Sequence, residues 1–426
     1  MQRLVYRLCK VEPEELAALL WSFAYFFCLL CGYYVLRPVR DEMGIQGGIG
    51  NLPWLFTATF VAMLAAVPVY GFLAARFARR TMLPVVYLFF AANLLLFYLL
   101  MATGVAPGWV ARAFFVWLSV FNLFVVSVFW SFMADLFSNE QAKRLFGFIA
   151  AGGSAGALAG PTLTAALVHI VGVANLLPIS IVFVFGAVVC IHVLSRWSHE
   201  RVPGSDASAH RPLGGSIWGG VRLALSSTYL LGICGYILLL TMTSTFLYLE
   251  QASIVAGSLP SSVERTRLFA TIDLTVNLLT LFAQLFLTNR ILAGCGVRCA
   301  LLAMPLLSLL GFAAMGFAPT LAVLVVFIVL RRALEYAVSK PAREVLFTVL
   351  TREEKYKAKN VVDTVVTRGG DMASGWLVTG LRALGAGAAH LAVLALPLSA
   401  AWAALSLFLA RRHGALAAAS ERRCRS

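Results

Sequence analysis

Tyr33, Arg37 and Arg40 stand at i, i+4 and i+7 where a long apolar run ends, so a helix continuing through them gathers all three on one face. A guanidinium in hydrocarbon is costly, about 2.5–3.5 kcal/mol at a helix centre and less near an end. Two cations kept in such a place point to an anionic ligand held by charge-assisted hydrogen bonds. A second polar face runs through Asp273, Asn277, Thr280 and Gln284, spaced i, i+4, i+7 and i+11 in an otherwise apolar segment. Thr364, Arg368 and Asp371 form a third face, and Thr243 with Glu250 a fourth. Turned to lipid these faces would be strongly unfavourable, so they line helix contacts or a water-filled path. The candidate ligand contacts are therefore Arg37, Arg40, Glu250, Asp273, Asn277, Arg368 and Asp371. In this reading Asp371, Asp273 and Glu250 release or recapture the arginines as ligand arrives and leaves. A purely structural reading stays open. Arg368 and Asp371 can neutralise each other within one helix, and Arg37 and Arg40 can snorkel to the outer head groups.

The elements that must position these groups are legible in the composition. Hydrophobic residues make up 61% of the 426 and charged residues 12%, half the charge of an ordinary soluble domain. The apolar residues come in runs of about 20, the length that crosses a bilayer core as a helix, whereas a barrel would show alternating segments of about 10. Twelve spans follow: Leu16–Leu36, Leu52–Ala75, Leu83–Ala102, Trp109–Met133, Leu145–Val171, Leu176–Leu194, Tyr229–Leu249, Leu268–Leu287, Ala300–Phe317, Leu321–Val338, Val361–Leu381 and Leu391–Leu409. The expected fold is an all-α polytopic membrane protein with 12 transmembrane helices in two six-helix halves. Residues 1–195 form the first half, 196–228 a Pro-, Gly- and Ser-containing cytoplasmic linker, and 229–426 the second half with its tail.

Charge placement orients the chain. With the N-terminus in the cytoplasm, all but seven of the 34 Lys and Arg residues fall in cytoplasmic segments, as the positive-inside rule requires. The seven are Arg37, Arg40, Arg112, Arg265, Arg267, Arg368 and Arg382. Both termini are thus expected in the cytoplasm, with the protein in the inner membrane of a bacterium. The net charge of +15 is spread over short loops, so the expected partners are the bilayer and a small anionic molecule, with no nucleic acid. A monomer is expected. No cleavable signal is expected either, because a polar start with Arg3, Arg7 and Lys10 leads into a full-length span.

No soluble segment is large enough to fold as a catalytic domain, so no enzyme activity and no catalytic residue is assigned. A phosphate-binding Gly-x-x-x-x-Gly-Lys-Ser/Thr loop and a His-Glu-x-x-His pair are both missing from the sequence, which disfavours an ATP-driven pump and a metal site. Cys28 and Cys31 read as buried inert thiols. No cofactor is expected. Gly152, Gly156 and Gly160 recur every four residues before Pro161, a stripe that lets two helices approach closely in lipid.

Several motifs resemble those of known transporters. Gly71-Phe72-Leu73-Ala74-Ala75-Arg76-Phe77-Ala78-Arg79-Arg80 resembles the loop motif of the major facilitator superfamily, with Ala75 and Ala78 in place of its Asp and second Gly. The turn from Thr288 to Arg298 is a basic echo of it in the second half, as parallel repeats require. Gly156 to Pro161 is similar to the Gly-x-x-x-Gly-Pro element of major facilitator antiporters. Three further segments resemble the ATP/ADP translocases of bacteria and plastids. They are Tyr34-Val35-Leu36-Arg37-Pro38-Val39-Arg40-Asp41, then Phe129-Trp130-Ser131-Phe132 with Ala142-Lys143-Arg144-Leu145-Phe146, and the region Lys340 to Gly375. Arg40 takes the position of a family lysine, Gln141 that of a glutamate, and Asp371 that of a second lysine, which reverses a charge. The resemblance implies a twelve-helix, major-facilitator-like fold and antiport of nucleotides, with Glu250 matching an acidic position.

The leading expectation is a secondary transporter of a small organic anion, two halves rocking around a midplane site. A proton-coupled exporter of apolar or cationic compounds, protonated at Asp371 or Asp273, is the first alternative. A non-transporting scaffold docking through Lys340–Lys359 is the second, and lipid head groups are a further candidate for that basic stretch.

Overall fold

A computed structural model describes residue 12 and residues 15–76, 79–201, 227–350, 354, 358–359 and 361–425. Arg3, Arg7 and Lys10, Phe77 and Ala78 of the first basic turn, linker residues 202–226, and Arg352, Glu353, Lys355 and Lys357 lie outside the described residues.

Among the described residues the chain is helical, in twelve principal segments. In order they are α1 (Leu16–Gln46), α2 (Leu52–Arg76), α3 (Arg79–Thr103), α4 (Pro107–Leu136), α5 (Asn139–Val171), α6 (Leu176–Arg201), α7 (Thr228–Ser258), α8 (Ser262–Phe286), α9 (Gly296–Phe317), α10 (Leu321–Leu334), α11 (Thr367–Ala383) and α12 (Ala388–Arg425). Ten of the helices are long and apolar enough to cross a membrane by length and composition. The tenth and eleventh spans are built differently. The α-helical part of α10 has 14 residues, followed by the π-turn Glu335–Ser339 and the short helix Lys340–Leu346. A π-turn, Val362–Val366, likewise precedes the 17 residues of α11. π-Turns of this kind gather at functional sites, because they re-aim side chains within a helix.

The helix α1 runs 31 residues, about 46 Å at 1.5 Å per residue, and so carries Arg37 and Arg40 on beyond the span boundary expected at Leu36. Pro38 sits inside it and donates no hydrogen bond to the preceding turn. The start of α5 is fixed by a capping box. Gln141 N donates to Ser138 Oγ at 3.3 Å and Ser138 N to Gln141 Oε1 at 3.0 Å, so two orphan amide donors are satisfied reciprocally.

By compactness the described chain divides in two. The first unit comprises Met1–Gly48, Val61–His210 and Leu259–Leu274, the second Ile49–Phe60, Arg211–Ser258 and Thr275–Ser426. A short piece of α2 thus groups with the helices of the later sequence, and the first half of α8 with those of the earlier.

In the first unit α1 lies against α5 along the glycine stripe. A Cβ on Gly152, Gly156 or Gly160 would run into the backbone of Phe23, Phe27 or Cys31 on α1. Two buried hydroxyls bind α1 as well: Ser180 Oγ donates to Gly32 O at 3.0 Å and Thr164 Oγ1 to Val35 O at 3.2 Å. Aromatic rings close the core, with Phe26 stacked on Phe129 at 4.2 Å between centroids and Tyr25 hydrogen-bonded to Tyr87. At the start of α1 the buried Glu15 carboxylate accepts from Gln141 Nε2 at 2.7 Å and Arg144 at 3.0 Å. In the second unit Gly232 and Gly235 of α7 admit Leu409 and Leu405 of α12, and Gly311 of α9 admits the Phe327 ring of α10. Tyr236 caps this core, bonding Ser339 in the π-turn at 3.2 Å.

Candidate ligand-binding site

The seven arginines that break the loop-charge rule each have a specific partner. Arg37 faces Asp273 at 3.5 Å, Arg40 faces Asp41 at 3.3 Å, and Arg265 grips Glu42 at 2.7 Å. Arg112 donates to Gly47 O at 2.8 Å, and Arg267 lies 3.3 Å from His169 Nε2. Arg368 faces Asp371 at 3.4 Å, and Arg382 faces Glu250 at 2.8 Å. Desolvating a cation is expensive unless it is paired. The pairing answers the cost that made these residues conspicuous in the sequence.

Of the predicted contacts, Arg37, Arg40 and Asp273 belong to the first unit. Arg37 projects from α1 with 19% of its side chain exposed and meets the almost fully enclosed carboxylate of Asp273, at mid-length of α8. The Tyr34 ring lies 5.7 Å from its guanidinium carbon. Arg40 is held more completely. Its guanidinium stacks 3.8 Å over the Phe115 ring of α4, and its Nε donates to Phe115 O at 3.4 Å. That arrangement anchors Arg40 on an aromatic face, although its side chain is as exposed as that of Arg37, 19% in each.

Glu250, Asn277, Arg368 and Asp371 belong to the second unit. Asp371 accepts from Thr245 of α7 at 3.0 Å with one oxygen and meets Arg368, three residues earlier on α11, with the other. The two elements pack closely because Gly370 lies against Thr241. Glu250 is 5% exposed and meets Arg382 near the end of α11, whose Nη2 also reaches Ser253 at 3.1 Å. Asn277 is half-buried on α8, one turn beyond Asp273. The polar stripe of α8 does not converge on one ligand position: Asp273 serves Arg37, whereas Gln284 donates to Tyr336 O at 3.4 Å. The side chain of Thr364 lies outside the described residues.

Distance divides these ion pairs into two kinds. Charge-assisted N–H···O bonds at full strength are about 2.7–2.9 Å long. Glu42–Arg265 and Glu250–Arg382, near helix ends, reach that range. Arg37–Asp273, whose carboxylate lies near mid-length of α8, and Arg368–Asp371, in the first turns of α11, are looser at 3.5 and 3.4 Å. The tight pairs brace helix ends.

Two residues escaped the sequence reading. Glu42 is fully enclosed and takes Arg265 with both oxygens, at 2.7 Å each, while Arg265 also donates to Leu259 O and Pro260 O. Arg265 was flagged by its position outside the cytoplasmic loops, but its partner was not. Arg331 is a correction of another kind. The charge count placed it with the basic loop between spans ten and eleven, yet it sits within α10 and is only 2% exposed. Its guanidinium donates to Ser308 Oγ at 3.3 Å, Ser244 Oγ at 2.9 Å, Thr243 Oγ1 at 2.8 Å and Leu240 O at 3.3 Å.

No sequence-family model and no curated protein matches this chain. Solved structures do match in fold. A bacterial homologue of the iron transporter ferroportin, in an inward-facing state, superposes with a TM-score of 0.65 at 12% identity, covering 93% of this chain and 98% of that one. The nucleoside transporter NupG gives 0.61 at 13% identity, covering 95% and 99%. An auto-inhibited peptide transporter of the POT family gives 0.62 at 16%, covering 94% and 96%. These likenesses, nearly end to end in both chains, show the fold. It is the twelve-helix major facilitator fold of an integral, multi-pass membrane protein. The matching structures are of transporters.

Proposed function

We propose that this protein is a secondary active transporter of a small organic anion, working by alternating access, with nucleotides the first substrates to test. One observation carries the reading. Two arginines, Arg37 on α1 and Arg368 in the first turn of α11, are neutralised by carboxylates at 3.5 and 3.4 Å, longer than the roughly 2.7–2.9 Å of full-strength charge-assisted bonds. An incoming phosphate or carboxylate competes with Asp273 for Arg37 and with Asp371 for Arg368. As ligand departs, each carboxylate recaptures its arginine. Leaving the enclosed Asp273 carboxylate without its partner costs about 3–5 kcal/mol, so the empty carrier re-forms that pair before it changes state; the more exposed Arg368–Asp371 pair is held less strongly. Thr245 holds Asp371 in place for that return.

The motif resemblance to nucleotide exchangers is the reason to try nucleotides first, with nucleosides, the substrate class of NupG, beside them. In this reading the two six-helix halves, residues 1–195 and 229–426, move about the linker 196–228. The chain acts as a monomer in a bacterial cytoplasmic membrane with both termini inside. Glu42–Arg265 and Glu250–Arg382 brace helix ends on the outer side.

Uptake of radiolabelled ATP, ADP and other organic anions into proteoliposomes tests the proposal. Transport of an anion by the wild type, lost in Arg37→Ala and Arg368→Ala, supports it. Absence of anion transport, or transport unchanged in both variants, overturns it.

A further inference from the structure

We propose that Arg331 sets the preference for anionic over neutral substrate, acting through its field rather than by contact; this rests on the anion-transport reading above. Arg331 is the eleventh residue of α10, roughly 15 Å along the helix from its start and so near mid-membrane. It is 2% exposed, and its four hydrogen-bond acceptors, Ser308, Ser244, Thr243 and Leu240 O, are all neutral. No carboxylate among the described residues lies within 4.0 Å of it. The carboxylate that acts on it is that of Glu335, four residues on and beyond ion-pair distance. A guanidinium does not deprotonate in a protein, so Arg331 brings a full positive charge into the second unit with no ion-pair partner.

The candidate contact Arg368, in the same unit and 37% exposed, differs in this respect. Arg368 is neutralised by Asp371, so the empty pair contributes almost nothing to the field an approaching ligand meets. Arg331 has no carboxylate in contact and is offset only at longer range, by Glu335. Its partners place it well to contribute to that field. It binds Thr243 and Ser244 of α7, and the next residue, Thr245, binds Asp371. Thr243 and Thr245 point to opposite sides of one helix, which puts the guanidinium about a helix width, roughly 10 Å, from the carboxylate. At an effective dielectric near 20, a unit charge at roughly that distance changes the occupancy of a singly charged anion about tenfold. The same field favours the release of Asp371 from Arg368 less than it favours a more highly charged ligand in its place. Fixed neutral hydrogen bonds, rather than a counter-ion in contact, hold the charge in position.

The test is uptake of ATP, AMP and adenosine, which share base and sugar and differ in charge, by proteoliposomes of the full-length chain. Arg331→Gln removes the charge. Ser308→Asp keeps the arginine packed and cancels its charge with a carboxylate at the position now 3.3 Å from Nε. Both are expected to lower the AMP-to-adenosine uptake ratio by about tenfold or more, since a phosphate monoester carries about 1.5 to 2 negative charges at neutral pH, and Arg331→Lys to hold it within about threefold. A purely structural brace would lower uptake of all three compounds alike, leaving the ratio unchanged. An unchanged ratio in Ser308→Asp, or in Arg331→Gln where that variant folds, overturns the inference and leaves anion transport standing. A wild type that takes up all three equally overturns the inference and leaves anion transport standing; one that takes up none of the three or of the other organic anions removes both.

Discussion

Glu42 and Arg265 meet in a two-pronged ion pair, both N–O distances 2.7 Å, with the carboxylate wholly shielded from solvent. A second pair, Arg37–Asp273, joins the same two helices. Arg37 precedes Glu42 on α1, whereas Asp273 follows Arg265 on α8, so both bridges form at once only if the helices run in opposite directions. The polarity is also reversed: α1 supplies the cation of one bridge and the anion of the other. Crossed charges of this kind reject a slipped register, because a shifted helix would bring like charges together.

Removing one partner of the tight pair leaves the other buried and alone. Arg265→Gln and Glu42→Gln are each expected to destabilise the protein by about 3–5 kcal/mol, read as a lower midpoint of thermal unfolding in detergent. The reversed double variant, Glu42→Arg with Arg265→Glu, is expected to recover part of that loss. No recovery would mean that the surrounding carbonyls of Leu259 and Pro260, rather than the pairing, hold Arg265 in place.

Asp273 competes with substrate for Arg37, which gives the loose pair a signature that the tight one lacks. In Asp273→Asn the competitor loses its charge while the side-chain shape persists. Apparent KM for an anionic substrate is expected to fall about five- to tenfold, and turnover to fall with it, because the arginine has no carboxylate to return to as the substrate leaves. A rise in KM would instead make Asp273 part of the substrate contact.

Much of this arrangement was legible because hydrocarbon makes polar residues expensive. The faces through Arg37, Asp273 and Arg368 stood out, and each of those residues lies in an ion pair. Glu42 was not singled out, since one more acidic residue after Asp41 at the end of a span carries no signal of its own. Arg331 was hidden by its neighbourhood: with Arg332 beside it and Lys340 and Arg343 following, a charge count files it with the loop. Only the positions of Ser308, Thr243 and Ser244, on two other helices, reveal that it is buried. The π-turns at Glu335–Ser339 and Val362–Val366 were not legible either, because apolar periodicity does not distinguish a π-turn from an α-turn over five residues. Gln141 shows the opposite case. It stands where a glutamate occurs in the motif it resembles, and it still completes the capping box and reaches Glu15.

The glycine stripe sets a steric limit that a single methyl group tests. At Gly156 a Cβ would press on Phe27 O and Cys31 N, both backbone atoms of α1 that cannot turn aside. Gly156→Ala is expected to destabilise by about 1–3 kcal/mol and Gly156→Leu to prevent recovery of a monodisperse protein. Gly147, on the same helix with open space around its Cβ position, is the control. Equal loss in Gly147→Ala and Gly156→Ala would assign the effect to helix chemistry rather than to close approach.

Glu15 gives a pH dependence whose sign follows from its surroundings. Burial alone would push its carboxyl up, but hydrogen bonds from Gln141 and from the backbone of Glu12, with the charge and hydrogen bond of Arg144, outweigh it and hold the group below its ordinary value of 4.5. A carboxyl held low when folded binds fewer protons than in the unfolded chain, so its stabilisation is complete above that ordinary value and is lost as pH falls through the lowered one. Wild type is therefore expected to lose more thermal stability than Glu15→Gln between neutral pH and the acid range below 4.5, with the two curves converging at the acid end. Parallel curves would mean that the Gln141 and Arg144 contacts do not survive in solution.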